Sequence, residues 1–133
     1  MKHLRTRLTL ATLAALALCV AACAPKPAAE VSRTDLAAVK QSNASIKPGD
    51  PRQKVLDSFK KANTVKLGTS VIDGATIEEW KVEAFHDEDK RKDLFITFLY
   101  FSNDRFVDSS DTRIDFRNNP AIVARWQGAA APR

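Results

Sequence analysis

This chain of 133 residues lacks the residues that several kinds of catalytic and binding site require. Of its two cysteines, Cys19 lies inside an apolar run, so only Cys23 remains beyond residue 22 and no disulfide can form within a chain that begins there. His86 is the one histidine in that part, whereas zinc sites need three or four spaced ligands and a catalytic triad needs an oriented histidine. The four glycines form no Gly-rich phosphate loop. We therefore expect no enzyme, no cofactor and no metal site.

Charge of one sign and long apolar runs are also scarce. The whole chain carries a formal charge of +5, but three of its 21 basic residues lie in residues 2–7, and beyond residue 22 there remain 18 against 16 acidic residues. This balance gives little reason to expect a nucleic-acid partner. The longest apolar run, residues 8–20, has thirteen residues, whereas a transmembrane helix needs about 20.

The start of the chain predicts a bacterial lipoprotein. A basic stretch, the apolar run and two alanines precede Cys23, which is the pattern of an export signal. The sequence VAAC resembles a lipobox, whose cysteine thiolate takes the lipid and becomes the first mature residue. We expect residues 1–22 to be the signal peptide and Cys23 to carry acyl chains such as palmitate that hold the protein on a membrane. Because Ala24, not Asp, follows, the resemblance implies the outer membrane, facing the periplasm. The alternative is an ordinary secretory signal.

The next residues predict a tether and two helices. Residues 23–34 contain two prolines and no apolar periodicity, which is typical of a lipidated tether. Residues 35–42 predict a short helix after an N-cap at Ser32 or Thr34. A second helix is predicted to begin with Asp50 as N-cap and Pro51 as first helical residue. Its apolar face continues to Ala62 and comprises Val55, Leu56, Phe59 and Ala62.

From residue 65 the pattern predicts an antiparallel sheet of consecutive strands. The predicted strands cover residues 65–72, 75–85, 94–101 and 105–109, with tight turns at residues 73–74 and 102–104. In the second strand, the alternation predicts a buried face that contains Trp80, Val82 and Ala84. The opposite face, with Glu79, Lys81 and Glu83, is predicted to be exposed to solvent. Residues 86–93 carry seven formal charges, for which we expect a solvated loop.

The strand at residues 94–101 is apolar on both faces, so a further element must bury the face of the sheet that the first two helices leave exposed. Asn119 and Pro120 predict the start of a short helix whose apolar residues are Ile122, Val123 and Trp126. We expect this tail to cover the second face. The alternative is that the face stays bare and binds a partner. Residues 128–133 are expected to be disordered.

These features together resemble the BamE family (SmpA/OmlA) of small outer-membrane lipoproteins. The resemblance rests on the lipobox, the sequence IKPG at residues 46–49 before the second helix, a strand with Trp80, and a last hairpin arm that opens RFV at residues 105–107. It implies a two-layer α+β fold over residues 35–111, with two or three helices on a three- to four-stranded antiparallel sheet. Residues 112–133 are then a C-terminal extension with a short helix. The residues that match as fold residues, not as a site, are Gly49, Val55, Phe59, Trp80 and Phe101.

The resemblance implies a lipid-anchored periplasmic scaffold that supports outer-membrane protein assembly or envelope integrity. Its partners would be the membrane, through Cys23, and outer-membrane assembly or other envelope proteins, with no nucleic acid and no small-molecule substrate. The alternative function is a small-ligand or inhibitor-type binding module, which requires an exposed patch of Phe95, Leu99, Phe101 or Tyr100. An enzyme that uses His86 is the third hypothesis, and the missing residues argue against it.

Overall fold

The computed structural model describes residues 28–88 and 91–131, which form an α+β fold with three helices and a mixed sheet of five strands. The predicted signal peptide and Cys23 lie outside the described residues. In chain order the elements are β1 (Ala29–Glu30), α1 (Arg33–Ser45), α2 (Arg52–Ser58), β2 (Asn63–Ile72), β3 (Ala75–Glu88), β4 (Arg91–Ser102), β5 (Arg105–Ser110) and α3 (Pro120–Ala130). In these two ranges, no helix has the length and apolar character that crossing a membrane would require.

Two tight turns fix the order of the central strands. Asp73 and Gly74 have φ values of 50° and 77°, and Asn103 and Asp104 have values of 48° and 65°. Two consecutive residues with positive φ give the type I′ geometry whose twist matches that of paired strands, so both predicted turns are confirmed. As a result β2, β3, β4 and β5 pair antiparallel in succession.

The expectation of a purely antiparallel sheet of three or four strands was wrong. The fifth strand, β1, pairs parallel with β3, with Ala29 opposite Ala84. β2 pairs with β3 only as far as Glu83, which leaves that edge of β3 unpaired from Ala84 onwards. The N-terminal strand β1 pairs with β3 there. The structure thus places Ala29 and the residues after it in the fold, where the sequence predicted a tether as far as residue 34.

The charged segment 86–93 was predicted to be a loop, and this was wrong for its described residues. β3 continues to Glu88 and β4 begins at Arg91. The register sets Asp87 opposite Lys92, Glu88 opposite Arg91, and His86 opposite Asp93. Opposite charges directly across an antiparallel pair stabilise the ladder, whereas a count of charges ignores which residues face each other.

The first face of the sheet is covered by α1 and α2. Ser32 caps α1 by accepting a hydrogen bond from the Asp35 N–H at 3.1 Å, as predicted, and α1 then runs further than the expected residues 35–42. The core under both helices consists of Val39, Val55, Phe59, Val82, Leu99, Phe101 and Phe106. Its members come from both helices and three strands, so this layer joins the N-terminal helices to the sheet.

The second helix begins later and ends earlier than the sequence predicted. Pro51 is its N-cap and Ser58 its last residue, so the helix stops well before Ala62. Asp50 does not cap it, because its carboxylate accepts hydrogen bonds from the Lys47 N–H at 2.9 Å and the Lys54 ammonium at 2.8 Å. Pro51 also forms a β-bridge with Arg105, which keeps the chain extended up to that residue.

The second face of the sheet is covered by α3, as the sequence predicted. Asn119 caps this helix by accepting from the Ile122 N–H, and Pro120 is its first residue. Trp126 stacks on Tyr100 with ring centroids 4.9 Å apart and also contacts Phe116. The expected two layers therefore become three. The helix continues to Ala130, because Ala129 and Ala130 pack against this second core, so the expectation of disorder from residue 128 was wrong for the described part.

Candidate interaction surface

The helix α3 covers only one half of the second sheet face. Eleven helical residues span about 16 Å, whereas the twelve residues of β4 span about 40 Å. The residues beneath the tail are those of the second core, namely Ala75, Ile77, Tyr100, Val107, Phe116, Val123 and Trp126. The end of the sheet that lies towards β1 has no counterpart of α3 among the described residues.

We call this uncovered part the open half, defined by Val65, Phe85, Leu94 and Ile96. The register sets Phe85 opposite Leu94, and Ile96 follows two residues later on the same face. None of the four belongs to either core cluster, and Leu94 is 47% exposed. Phe85, Leu94 and Ile96 are adjacent, whereas Val65 lies beside Lys81, across β3 from Leu94 and Ile96. An apolar surface strip rimmed by polar side chains is typical of an interaction site. The open half is therefore the candidate functional site of this fold.

Charged side chains lie within and beside the open half. Lys81 and Glu83 form an ion pair at 3.1 Å on this face. The Lys92 ammonium lies 4.2 Å from the ring centroid of Phe85, which is the distance of a cation–π contact. Glu83 and Lys92 thus border the apolar strip, as the polar rim of a protein interface borders its apolar centre.

One buried carboxylate, Glu79, fastens the C-terminal tail to the sheet. Its side chain is 1% exposed and accepts two hydrogen bonds from the Arg113 guanidinium, each at 2.7 Å. The Tyr100 hydroxyl donates to it at 3.4 Å and accepts from the Ile114 N–H at 2.7 Å. Burial, chiefly, raises the pKa of Tyr100, and the Glu79 hydrogen bond raises the pKa of Arg113. The prediction that Glu79 faces water was wrong, because the tail supplies its partner.

A second carboxylate, Glu78, joins α2 to the sheet on the other face. It accepts hydrogen bonds from Arg52 at 2.7 Å, from Lys66 at 3.0 Å and from the Trp80 indole at 3.0 Å. Burial opposes the ionisation of Glu78, but these three hydrogen bonds outweigh it and lower its pKa. Arg52 also pairs with Asp104 at 2.8 Å. Both buried glutamates thus hold separate elements together.

His86, the candidate for catalytic or metal chemistry, lies near the start of α1. Its Nδ1 is 2.9 Å from the carbonyl oxygen of Val31, and its Nε2 is 3.6 Å from a carboxylate oxygen of Glu88. Over residues 28–88 and 91–131, no group of three His, Cys, Asp or Glu side chains lies close enough to hold a metal ion. The structure thus brings His86 together with the N-terminal segment.

The predicted fold residues occupy fold positions. Gly49 has a φ of 94°, which favours glycine, and its N–H donates to the Phe106 carbonyl at 2.8 Å. Val55, Phe59 and Phe101 are fully buried in the first core.

The patch required by the ligand-binding alternative does not form from its predicted residues. Leu99, Tyr100 and Phe101 are buried, and Phe95 is half-buried against the first core. The alternation within residues 94–101 predicts that Leu94 and Ile96 share a face. The sequence does not show that Phe85 lies beside Leu94, or that Val65 lies on the same face next to Lys81, because only the register does.

Comparison with known protein families, with curated proteins and with solved structures gives no match to this chain.

Proposed function

We propose that this chain is a lipid-anchored interaction module of the bacterial envelope, which binds another envelope protein through the open half. The observation that carries the proposal is the partly exposed apolar strip around Leu94, which α3 leaves uncovered. An apolar strip of this kind gains free energy when a partner removes it from water, at about 25 cal/mol per Å².

The position of the open half supports the link to the anchor. β1 pairs with β3 at Ala84 and Phe85, so the N-terminal chain enters the fold beside this surface. Cys23 lies six positions before Ala29, and an extended chain of six residues reaches about 20 Å at most. A lipid on Cys23 would therefore keep the open half close to a membrane surface, where membrane-embedded partners expose their periplasmic parts.

The resemblance to the BamE family supports the same proposal and names a class of partner. It implies a periplasmic scaffold of outer-membrane protein assembly, located at the outer membrane. We propose this class of partner on the lipobox and on the sequence IKPG at residues 46–49.

Metabolic labelling tests the anchor. Cells that produce the full chain and grow with labelled palmitate should incorporate label into it, and Cys23→Ser should remove that label. A chain that takes up no palmitate, or takes it up equally after Cys23→Ser, would contradict the proposed location.

Site-specific crosslinking tests the surface. A photoreactive amino acid at Leu94 should capture an envelope protein from intact cells, whereas the same group at Ala124, on the exposed side of α3, should not. Leu94→Glu should abolish co-purification of the captured protein from detergent-solubilised membranes, and Ala124→Glu should preserve it. Equal capture at both positions, or none at Leu94, would show that the open half is not the binding surface.

A further inference from the structure

The strand β2 forms an edge of the sheet, with one register shift between Lys66 and Gly68. It pairs with β3 on one side, and no described strand pairs with its other side. Proteins commonly protect such edges with charges or proline, since unpaired backbone groups invite another strand. Lys66 is the only charged residue among the ten residues of β2, which include no proline. Its ammonium lies 3.0 Å from Glu78 of the neighbouring strand, so even this charge is engaged within the fold.

The apolar side chains along this edge are unusually exposed. Leu67 is 38% and Val71 is 73% exposed, and with Leu94 they are the large hydrophobic residues that the described part leaves exposed. Leu67, Thr69 and Val71 alternate along the strand, so their side chains share one face. Leu67 is also the one residue of β2 with no partner on β3, because the register shifts between Lys66 and Gly68.

We propose that β2 pairs antiparallel with β2 of a second copy of this chain, in a register centred on Thr69. In that register, Leu67 of each copy lies directly opposite Val71 of the other, so each exposed apolar residue gains an apolar cross-strand neighbour. The two Lys66 residues lie about 20 Å apart along the strands, which avoids opposed like charges. A two-fold axis through Thr69 satisfies both copies with the same contacts, as a symmetric dimer requires. This self-complementarity favours a second copy over an unrelated strand.

The pairing is independent of the proposed function. It extends the sheet sideways by joining two edges, and it leaves both faces of each sheet, including the open half, available. A chain that dimerises without binding an envelope protein through Leu94, or the reverse, separates the two proposals.

Disulfide crosslinking in the full chain tests the register. Opposed residues in an antiparallel pair have Cα atoms about 4.5–5.5 Å apart, and a disulfide accepts about 4.4–6.8 Å. The chain with Thr69→Cys should therefore form a covalent dimer when the bacterial envelope is oxidised. Val71→Cys, whose two copies would lie about 13 Å apart along the strands, should give about tenfold less dimer. The parent chain sets the background from its own two cysteines.

A mixture of Leu67→Cys and Val71→Cys chains provides a second check, since the register predicts that these two cysteines face each other. Equal dimer yields from Thr69→Cys and Val71→Cys would overturn the proposal, and so would a disulfide that joins the Thr69→Cys chain to a different protein in place of a second copy.

Charge insertion gives a measurement without cysteine. Thr69→Lys should place two ammonium groups opposite each other and shift the purified chain in detergent from dimer to monomer mass at a concentration where the parent is a dimer. Thr112→Lys, the same change at an exposed residue away from β2, should leave the dimer intact. A parent chain that is monomeric, or a dimer that survives Thr69→Lys, would refute the pairing.

Discussion

Removing the guanidinium of Arg113 should destabilise the fold more than removing any other exposed cation. Arg113→Ala deletes two hydrogen bonds of 2.7 Å and leaves the Glu79 carboxylate, 1% exposed, with the Tyr100 hydroxyl at 3.4 Å. A carboxylate that loses its cation in the interior destabilises by about 3–5 kcal/mol. Because the Arg113 side chain itself is 56% exposed, solvent screens part of that loss, and we expect about 2–3 kcal/mol.

Arg125→Ala is the matched control. Arg125 also lies in the C-terminal segment and pairs with a strand carboxylate, Asp108, at 3.0 Å, but that carboxylate is only half-buried. Asp108 also keeps the hydrogen bond from the Trp126 indole, at 3.0 Å. We therefore expect Arg125→Ala to destabilise by less than about 1 kcal/mol.

Urea unfolding of the full chain, followed by near-ultraviolet circular dichroism, measures both variants. With a slope of about 1–2 kcal/mol per M, Arg113→Ala should lower the midpoint by about 1–3 M. Glu79→Gln should restore part of this loss in the double variant, because it removes the unpaired buried charge. The reasoning is refuted if Arg113→Ala and Arg125→Ala shift the midpoint equally, or if Glu79→Gln gives no restoration.

Three further outcomes are expected. Burial is outweighed by the hydrogen bonds to Glu78, which lower its pKa, so its stabilising contribution is present above the unfolded value near 4.5 and is lost as pH falls through the lower pKa of the folded state. The gap in unfolding midpoint between parent and Glu78→Gln should therefore narrow from pH 7 to pH 3, and a constant gap would contradict this. Trp126→Ala should lower the free energy of unfolding by about 3–5 kcal/mol, measured by urea unfolding, and should remove the near-ultraviolet signal of the ring stack. A loss of less than about 1 kcal/mol would show that the tail adds little to the core. Gly128→Ala, within α3, should raise the free energy of unfolding by about 0.5–1 kcal/mol and so raise the thermal midpoint. Gly74→Ala, at φ 77°, should lower the thermal midpoint, and a change of the same sign in both variants would contradict these expectations.

The features predicted correctly from sequence are those fixed by a few neighbouring residues. Asp73 and Gly74 tolerate positive φ, and Asn119 before Pro120 provides a cap and a compatible first helical residue. The need for a second cover on the sheet followed from the apolar residues on both faces of residues 94–101. Such signals act locally, or through the simple requirement that apolar surface be buried.

The features that sequence reasoning missed depend on partners distant in the chain. Glu79 is buried because Arg113, 34 positions later, neutralises it, and nothing in the alternation around Glu79 shows that partner. The charged hairpin forms because its charges oppose each other across β3 and β4, which only the register determines. The late start of the second helix has a similar cause, because Pro51, just before its first residue, bridges to Arg105 in the last strand.

The lengths of the elements explain why the candidate site exists. β3 and β4 extend well beyond α3, and the cross-strand charges of the hairpin stabilise this extension without a helix over its second face. The first face of this extension carries Val82 and Phe95 of the first core, so both strands continue past α3. Their alternate residues, among them Leu94 and Ile96, then lie on the uncovered second face, beside β1, where the N-terminal chain arrives. The strip itself adds to neither core, and this is the observation on which the proposed binding role rests.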